Sequence, residues 1–369
     1  MKVLIISPKN KTVYNFRGDL IRDMVKKEIE VAVTGPNKDY VDDISELGVK
    51  KIFEIQLKKD RISLMGDIGY FFKLRKTIKE FGPDIVFSYT AKPIVYGSVA
   101  AGVTGVNKIY AMVEGLGRIY TSNDIKAKIL RRVNKWLYKI AFLFCNKVIF
   151  LNYDDSELFL KMRILKNTKV AHIDGIGVNM NTFRPSPFPK IPTFLMVSRI
   201  IKEKGVLDFC EAAKYVKSLY PNSKFILLGG FDSSIGAIQP PVIKKYVEEG
   251  VIEYPGEVKN PIDYYQLSSV FVLPSYYREG LPRAIIEAMA CGRPIITTDW
   301  TGCRDTVIDG ENGFLVDIKN PAMLADKMRV FIEQPDLIES MGKKSYIRCQ
   351  EKYDVDIINR NLFEILELT

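Results

Sequence analysis

The chain has 369 residues, of which 47% are hydrophobic and 27% charged, so it is long enough for two globular domains and is neither disordered nor fibrous. Its formal net charge is +10 at pH 7, and this charge is unevenly distributed. Residues 1–185 hold 32 Lys and Arg against 19 Asp and Glu (net +13), whereas residues 186–369 hold 22 against 25 (net −3). This asymmetry predicts that the first half faces an anionic surface, either a nucleic acid or a membrane.

Cysteine and histidine usage argue against a disulfide scaffold and a metal site. The five cysteines form no CxxC pair, which is typical of a reducing compartment, and His172 is the only histidine, so we expect no metal. The N-terminal MKVLIISP is too short an apolar run for a signal peptide and is predicted to be a buried strand. No segment reaches the roughly 18 apolar residues of a spanning helix, so we expect a cytoplasmic protein.

Short apolar runs alternate with helical patterns along the whole chain. In the first half they predict strands at 3–6, 31–34, 52–57, 85–88, 108–113 and 147–151. After a Gly- and Pro-rich linker at 175–192, further strands are predicted at 193–197, 224–228, 251–254, 270–273, 294–297 and 313–316. This alternation predicts two doubly wound Rossmann-like α/β domains facing each other across a cleft. We place them at 1–180 and 181–345, with a helical segment at 346–369 that crosses back to the first domain.

Three charged residues of the first half follow predicted strands, where α/β sheets bind ligands. Arg17 ends the predicted loop 10–17 and is a candidate anion contact, and Lys92 in YTAKP is a candidate phosphate contact. Glu114 lies at a glycine-rich strand end and is a candidate to hold, or accept a proton from, an acceptor hydroxyl. The alternative for Glu114 is a structural carboxylate that caps the next helix.

Residues 124–146 are predicted to form one amphipathic helix. One face carries Ile125, Ile129, Val133, Trp136, Ile140 and Phe144. The other carries Lys128, Arg131, Arg132, Lys135 and Lys139. This pattern predicts an interfacial helix that addresses anionic lipid headgroups, with Arg131, Lys135 and Lys139 among its lipid contacts. The alternative is a Rossmann helix whose apolar face packs inward and whose basic face is solvated.

In the second half, two strand-end segments have the residue types of a diphosphate and nucleotide site. In VSRIIKEKG, Arg199 offers a planar fork and Lys204 a compact charge for a diphosphate; Lys202 is a rival for the lysine role. Gly230 lies in a strand-end turn and is a candidate donor contact, and Val258 lies in a turn after another strand, where backbone groups could read a nucleobase edge. The alternatives are a solvated basic loop and plain turns.

Glu279 and Glu287 lie eight positions apart across a strand-to-helix turn. Eight helical residues span about 12 Å, which is too far for the two carboxylates of a glycosidase but suits an extended ligand. The stretch Gly280-Leu281-Pro282 brings backbone N–H groups to a helix N-terminus, where anions bind. Carboxylates for sugar hydroxyls and a helix N-terminus for phosphate predict a nucleotide-sugar site. The absence of GxGxxG and Walker A motifs disfavours a dehydrogenase or a P-loop enzyme. The alternative is a surface helix with two unrelated acids.

The segments SRIIKEKG, LPSYYREGLPRAIIEAMACGRPII and GCRDTVIDGENGFLV resemble the GT-B glycosyltransferases of glycosyltransferase family 4. The resemblance implies that Arg199 and Lys204 hold a diphosphate, that Glu279 contacts the donor sugar and that Glu287 contacts the ribose. It also implies that the Gly280 and Leu281 N–H groups bind phosphate, that anomeric configuration is retained and that no metal is needed. Two departures are that Glu114 stands where many members carry a histidine, and that the usual glycine-rich loop after the first strand is missing.

Within that family, YTAKPIVYGSVAAGVTG followed by VEGLG resembles transferases that extend polyprenyl-diphosphate-linked sugars in bacterial N-glycosylation, capsule and O-antigen assembly. The resemblance implies a UDP-sugar donor, with N-acetylgalactosamine expected, and a peripheral enzyme on the cytoplasmic face of the inner membrane. Since no nucleic-acid-binding motif occurs, we expect an anionic membrane rather than nucleic acid as the partner surface. The rival functions are a nucleotide-sugar epimerase of the same fold and a non-catalytic nucleotide-sugar-binding protein.

Overall fold

The computed structural model describes residues 1–57, 64–121, 125–232 and 236–368, which form two compact units. Unit 1 comprises Met1–Ile176 and Asp356–Thr369, and unit 2 comprises Gly177–Val355. The division falls four residues before the boundary expected at 180, between two glycines with left-handed backbone, Gly175 (φ 81°) and Gly177 (φ 77°). The C-terminal return to unit 1 begins at Asp356 rather than at residue 346.

Unit 1 is built on a seven-stranded parallel sheet in the order β3-β2-β1-β4-β5-β6-β7. The central strands are almost completely buried because helices cover both faces, which explains their continuous apolar runs. The strands are β1 (Lys2–Ile6), β2 (Glu30–Gly35), β3 (Lys51–Glu54), β4 (Ile85–Tyr89), β5 (Lys108–Val113), β6 (Lys147–Phe150) and β7 (Val170–His172).

The helices of unit 1 follow the strands in alternation. They are α1 (Asn10–Lys26), α2 (Val41–Ser45), α3 (Leu64–Phe81), α4 (Ser98–Thr104), α5 (Arg118–Thr121), α6 (Ile125–Phe144) and α7 (Tyr153–Lys161). A π-helical turn, Pro93–Gly97, leads into α4, which packs against both α3 and α6. The strand order reverses between β1 and β4, so the segments after β1, β4 and β5 meet at one edge of the sheet.

Unit 2 has a six-stranded parallel sheet in the order β10-β9-β8-β11-β12-β13. Its strands are β8 (Thr193–Val197), β9 (Lys224–Leu228), β10 (Glu253–Gly256), β11 (Val270–Leu273), β12 (Ile295–Thr298) and β13 (Gly313–Val316). Its helices are α8 (Val206–Leu219), α9 (Pro240–Glu248), α10 (Ile262–Gln266), α11 (Arg283–Ala290), α12 (Pro321–Glu333) and α13 (Asp336–Lys352). The order reverses between β8 and β11, which places the segments after these two strands side by side.

The last helix, α14 (Val355–Ile365), packs on unit 1. Asn359 Nδ2 donates to Asp23 Oδ2 at 2.8 Å, and the Lys27 ammonium lies 4.9 Å from the centre of the Phe363 ring. These contacts join α14, near the C-terminus of the chain, to α1, near its N-terminus, within unit 1.

Candidate active site

The segments that follow β8 and β11 pack directly on each other in unit 2. A one-turn 3-10 helix, Lys202–Lys204, leads to Gly205, whose left-handed backbone (φ 74°) starts α8. A Cβ at Gly205 would lie 2.0 Å from the Pro274 carbonyl oxygen, so only glycine permits this approach. The Tyr276 N–H donates to the Glu203 carbonyl at 2.8 Å, which fixes the two segments together.

Lys204 and Glu279 form an ion pair where these segments meet. The Lys204 ammonium binds Glu279 Oε1, and both side chains are largely buried. The Ser275 hydroxyl donates to the same Glu279 oxygen at 3.0 Å. Lys202, the rival, is exposed on the same 3-10 turn, so the structure joins Lys204 rather than Lys202 to the carboxylate.

The Tyr277 ring lies close to both Lys204 and Arg199. The Lys204 ammonium lies 5.5 Å and the Arg199 guanidinium 5.4 Å from the centre of the Tyr277 ring. Arg199 Nη1 also donates to Asp232 Oδ2 at 2.8 Å, which orients the guanidinium. The two residues predicted to hold a diphosphate thus share one aromatic ring, and Glu279 lies beside them.

Glu287 is held in place from two sides on α11. Its Oε1 accepts from Arg283 Nε at 2.7 Å and its Oε2 from the Tyr265 hydroxyl at 2.9 Å. Burial, followed by the charge of Glu287, raises the pKa of Tyr265, so this phenol stays a donor. Each carboxylate oxygen keeps a second lone pair, so a fixed Glu287 can still accept from a ligand hydroxyl.

The helix N-terminus after Glu279 differs from the prediction in one detail. Helix α11 begins at Arg283 with Pro282 as its N-cap, so Gly280 and Leu281 precede the helix. Pro282 has no N–H, so it contributes shape but no hydrogen bond to an anion. The backbone N–H groups on this stretch therefore belong to Gly280 and Leu281.

Gly230 and Val258 lie at neighbouring strand ends of unit 2. The Ile200 N–H donates to the Gly230 carbonyl at 3.1 Å, which links this turn to the segment carrying Arg199. A Cβ at Gly229 would lie 1.7 Å from the Ser198 carbonyl oxygen, so the chains approach closely there. Val258 is half-buried two residues after β10.

In unit 1, the structure corrects the expectations for Arg17. Residues 10–17 form the first turns of α1 instead of a loop, and the Arg17 side chain is only 1% exposed. Its guanidinium pairs with Glu114, and it lies 4.6 Å from the centre of the Tyr89 ring. The buried Arg17 side chain holds Glu114 at the end of β5.

Tyr89 completes this buried cluster. Its hydroxyl donates to Ser7 Oγ at 2.7 Å and lies 3.1 Å from Thr12 Oγ1. Burial raises the pKa of Tyr89 to about 12, partly opposed by the Arg17 charge, so the phenol remains protonated at neutral pH. Lys92, after β4, forms an ion pair with Asp67, with its Nζ 2.7 Å from Oδ1.

Two family models match the chain, one in each unit. The model described as Glycosyl transferase 4-like matches residues 2–152, and the one described as Glycosyl transferases group 1 matches residues 181–348. These ranges contain both strand-end clusters. This chain belongs to the GT-B glycosyltransferases. The predicted family, fold and enzyme class are thereby confirmed.

Individual relatives and solved structures agree with this assignment. N,N'-diacetylbacillosaminyl-diphospho-undecaprenol alpha-1,3-N-acetylgalactosaminyltransferase of Campylobacter jejuni is 28% identical over 100% of this glycosyltransferase and 98% of the relative. UDP-Gal:alpha-D-GlcNAc-diphosphoundecaprenol alpha-1,3-galactosyltransferase of Escherichia coli is 29% identical over 78% of this chain and 75% of the relative. Anabaena Alr3699/HepE in complex with UDP and glucose shares the fold with a TM-score of 0.80 at 18% identity, covering 100% of both chains.

In the glycosyltransferase, the predicted apolar face of helix α6 is exposed. The alternative prediction was a Rossmann helix with this face packed inward. Ile125 is 75% exposed, Trp136 64% and Leu143 71%, and Ile129, Val133 and Ile140 are exposed as well. The helix packs on the core through another stripe, formed by Ala127, Tyr138, Ala141 and Phe142. Lys139 is exposed and lies over the Trp136 ring at 5.6 Å, while Arg131 and Lys135 are half-buried. None of the helices in the described ranges combines the length and the apolar composition that a membrane span requires.

Sequence reasoning missed the side chains that organise both clusters of the glycosyltransferase. Tyr277, Asp232 and Ser275 act in unit 2, and Tyr89 with Asp67 in unit 1. Tyr276 and Tyr277 in PSYYREG lie three and four residues after β11, and this position near a strand end was the available signal for Tyr277. In the part of the chain that the structure covers, no three His, Cys, Asp or Glu side chains are grouped to hold a metal ion.

Proposed function

We propose that this glycosyltransferase moves a hexose or N-acetylhexosamine, with N-acetylgalactosamine as the leading candidate, from UDP to a polyprenyl-diphosphate-linked sugar. The observation that carries the proposal is the meeting of Arg199 and Lys204 on the Tyr277 ring beside Glu279. The names of the Campylobacter and Escherichia relatives support this acceptor class, and the Anabaena structure with UDP and glucose supports this donor class.

The two cations are proposed to bind the donor diphosphate. An ammonium group has three N–H donors, so Lys204 can keep Glu279 and still donate to phosphate oxygens. Arg199 supplies a fork that matches two oxygens, and the N–H groups of Gly280 and Leu281 add neutral donors. As the glycosidic bond breaks, negative charge grows on the leaving diphosphate, and these groups stabilise it without a metal.

We propose that the anomeric configuration is retained by attack on the face that the diphosphate leaves. Glu279 is committed to Lys204 and Ser275, which suits it to orient the donor sugar rather than to act as a free nucleophile. The leaving phosphate would then assist removal of the acceptor proton. Glu114, fixed by Arg17, is proposed as a hydrogen-bond acceptor for a substrate hydroxyl.

The test of this function is UDP or GDP release from a panel of nucleotide sugars, with and without a polyprenyl-diphosphate-linked sugar. We expect release of UDP that depends on the acceptor, with N-acetylgalactosamine as the donor sugar, and an α-linked product by NMR. Transfer that persists in EDTA is expected if the cations replace a metal. A β-linked product from an α-linked donor would contradict retention.

The same panel separates the rival functions. An epimerase would convert a UDP-N-acetylhexosamine with no acceptor present, and a binding protein would bind UDP in a calorimetric titration but consume no donor. Either result would overturn the transferase proposal for this chain.

We also propose that unit 1 associates peripherally with the cytoplasmic face of the inner membrane. Helix α6 carries an exposed apolar stripe, and a basic stripe that includes Lys128, Arg132 and Lys139 borders it. Exposed apolar patches of this kind mark interaction sites, and the basic border favours anionic headgroups over a protein partner of mixed charge.

Combined replacement of Ile129, Trp136 and Ile140 by serine should lower binding to phosphatidylglycerol vesicles at least tenfold, because three inserted side chains lose their apolar contact. Vesicle co-sedimentation measures this effect. The matched control is Ile347→Ser, which removes an exposed apolar side chain in unit 2 and should leave binding unchanged. Equal binding by the triple variant, or salt-sensitive binding of the wild type to duplex DNA instead of vesicles, would contradict the membrane proposal.

A further inference from the structure

A cavity of about 420 Å³ lies at the start of α3 in unit 1. Gln56 and Leu57, which follow β3, line one side, and Asp67, Tyr70 and Lys73 of α3 line another. Its volume falls within the range of about 300–1,000 Å³ that small-molecule sites occupy. Its place at the carboxyl ends of parallel strands is also where ligands of α/β proteins bind.

Two glycines on α3 keep this space open. Gly66 and Gly69 both line the cavity, and a Cβ at Gly69 would have no heavy atom within 4 Å. Glycine inside a helix costs roughly 1 kcal/mol relative to alanine, so its use at Gly69 has no advantage for the helix itself. A cavity that must admit a ligand explains why no side chain projects there.

The polar groups of the cavity suit a sugar. The Tyr70 hydroxyl is buried and has no hydrogen-bond partner among the described residues, so a ligand hydroxyl or acetamido group would satisfy it. Asp67 pairs with Lys92, and burial, together with the Asp67 charge and hydrogen bond, raises the pKa of Tyr96 to about 12. The Asp67 charge is therefore matched inside the protein, and the exposed Lys73 at the rim adds a positive charge that suits a phosphate.

An exposed apolar stripe runs along the neighbouring face of the same helix. Met65 is 87% exposed, and Ile68 and Phe72 are more than half exposed. Each is one position from a cavity-lining residue, so the two faces lie about 100° apart around the helix. Val103, on the adjacent helix α4, is exposed as well.

A polar cavity beside an apolar stripe matches a ligand with a charged sugar head and an apolar tail. Resting on the proposed function, we propose that this cavity binds the sugar-diphosphate head of the lipid-linked acceptor, with its isoprenoid chain along Met65, Ile68 and Phe72. Lys73 contacts the diphosphate, and Tyr70 and Gln56 contact the sugar. This site selects the acceptor and takes no part in the chemical step.

Calorimetric binding of farnesyl-diphosphate-linked diacetylbacillosamine tests the site directly, because it needs no turnover. Gly69→Leu fills the cavity while favouring the helix, and we expect at least tenfold weaker binding of this probe with unchanged binding of UDP. Gly69→Ala, which keeps most of the space, should bind within threefold of the wild type. Wild-type protein that does not bind the probe, or Gly69→Leu that binds it normally, would overturn the inference.

Charge reversal at the rim gives an independent check if the leucine variant fails to fold. Lys73→Glu should weaken probe binding at least tenfold, whereas Lys76→Glu, one turn further along α3 and also exposed, should not. Equal effects of the two variants would indicate general electrostatics and overturn the inference. The two proposals also fail separately: a probe that binds as expected but accepts no sugar contradicts the transfer reaction and leaves the cavity assignment standing.

Discussion

Lys204→Ala is expected to lower glycosyl transfer by about 10²–10³-fold, since loss of one preformed charge contact to a developing oxyanion typically costs that much. Lys204 is fixed by Glu279 and the Tyr277 ring before the donor arrives, so its charge needs little reorganisation when the bond breaks. The measurement is the initial rate of UDP release at saturating donor and acceptor, with thermal unfolding recorded in parallel. A drop in kcat with little change in the donor KM would place the contact in the transition state.

Lys202→Ala is the matched control for this experiment. It removes the same charge from the same 3-10 turn, but Lys202 is exposed. Turnover within about twofold of the wild type is expected. If Lys202→Ala loses activity and Lys204→Ala retains it, the diphosphate contact belongs to Lys202 and its assignment to Lys204 is wrong.

The architecture could be predicted because its determinants are local. Strands buried on both faces appear as continuous apolar runs such as KVLII and VFVL, and the alternation with helices leaves only a parallel sheet. The ion pair between Arg283 and Glu287 follows from their spacing of four on a helix. Strand ends mark where ligand groups gather, which is why Arg199, Lys204 and Glu279 were predicted as site residues from their position and residue type.

The contacts that decide each residue's role could not be predicted, because they join distant parts of the chain. Helix α1 has Lys9 at its N-cap and no side-chain cap, so residues 10–17 lacked a helix-start signal and were interpreted as a loop. Burial of Arg17 depends on Glu114, which is 97 residues away. In α6, the sequence contains two apolar stripes, and only packing against the rest of unit 1 determines that the Tyr138 stripe faces inward and the Trp136 stripe outward.

Arg17→Met is expected to destabilise unit 1 by about 3 kcal/mol. Breaking a buried ion pair from one side costs roughly 3–5 kcal/mol because the remaining charge is stranded, and Glu114, which is partly exposed, recovers some hydration. The matched control is Arg22→Met on the same helix, whose exposed pair with Asp19 should contribute less than about 1 kcal/mol. Hydrogen exchange in increasing denaturant measures the effect, since peptides from β1, β4 and β5 report on unit 1 separately from unit 2.

Combining Arg17→Met with Glu114→Gln distinguishes a coupled pair from two independent losses. If the two charges stabilise each other, the loss of unfolding free energy in the double variant should be smaller than the sum of the two single losses by at least about 1 kcal/mol. The reason is that no unpaired charge remains in the double variant. Additive effects would show that Arg17 is retained for its packing on Tyr89. The double variant contains no stranded charge, because Glu114→Gln removes the carboxylate that Arg17 holds in place, so it should fold well. If the Glu114 carboxylate contacts substrate, the double variant should nevertheless transfer sugar more slowly than the wild type. Normal turnover by that variant would remove Glu114 from the mechanism and leave the Arg17–Glu114 pair a purely structural one.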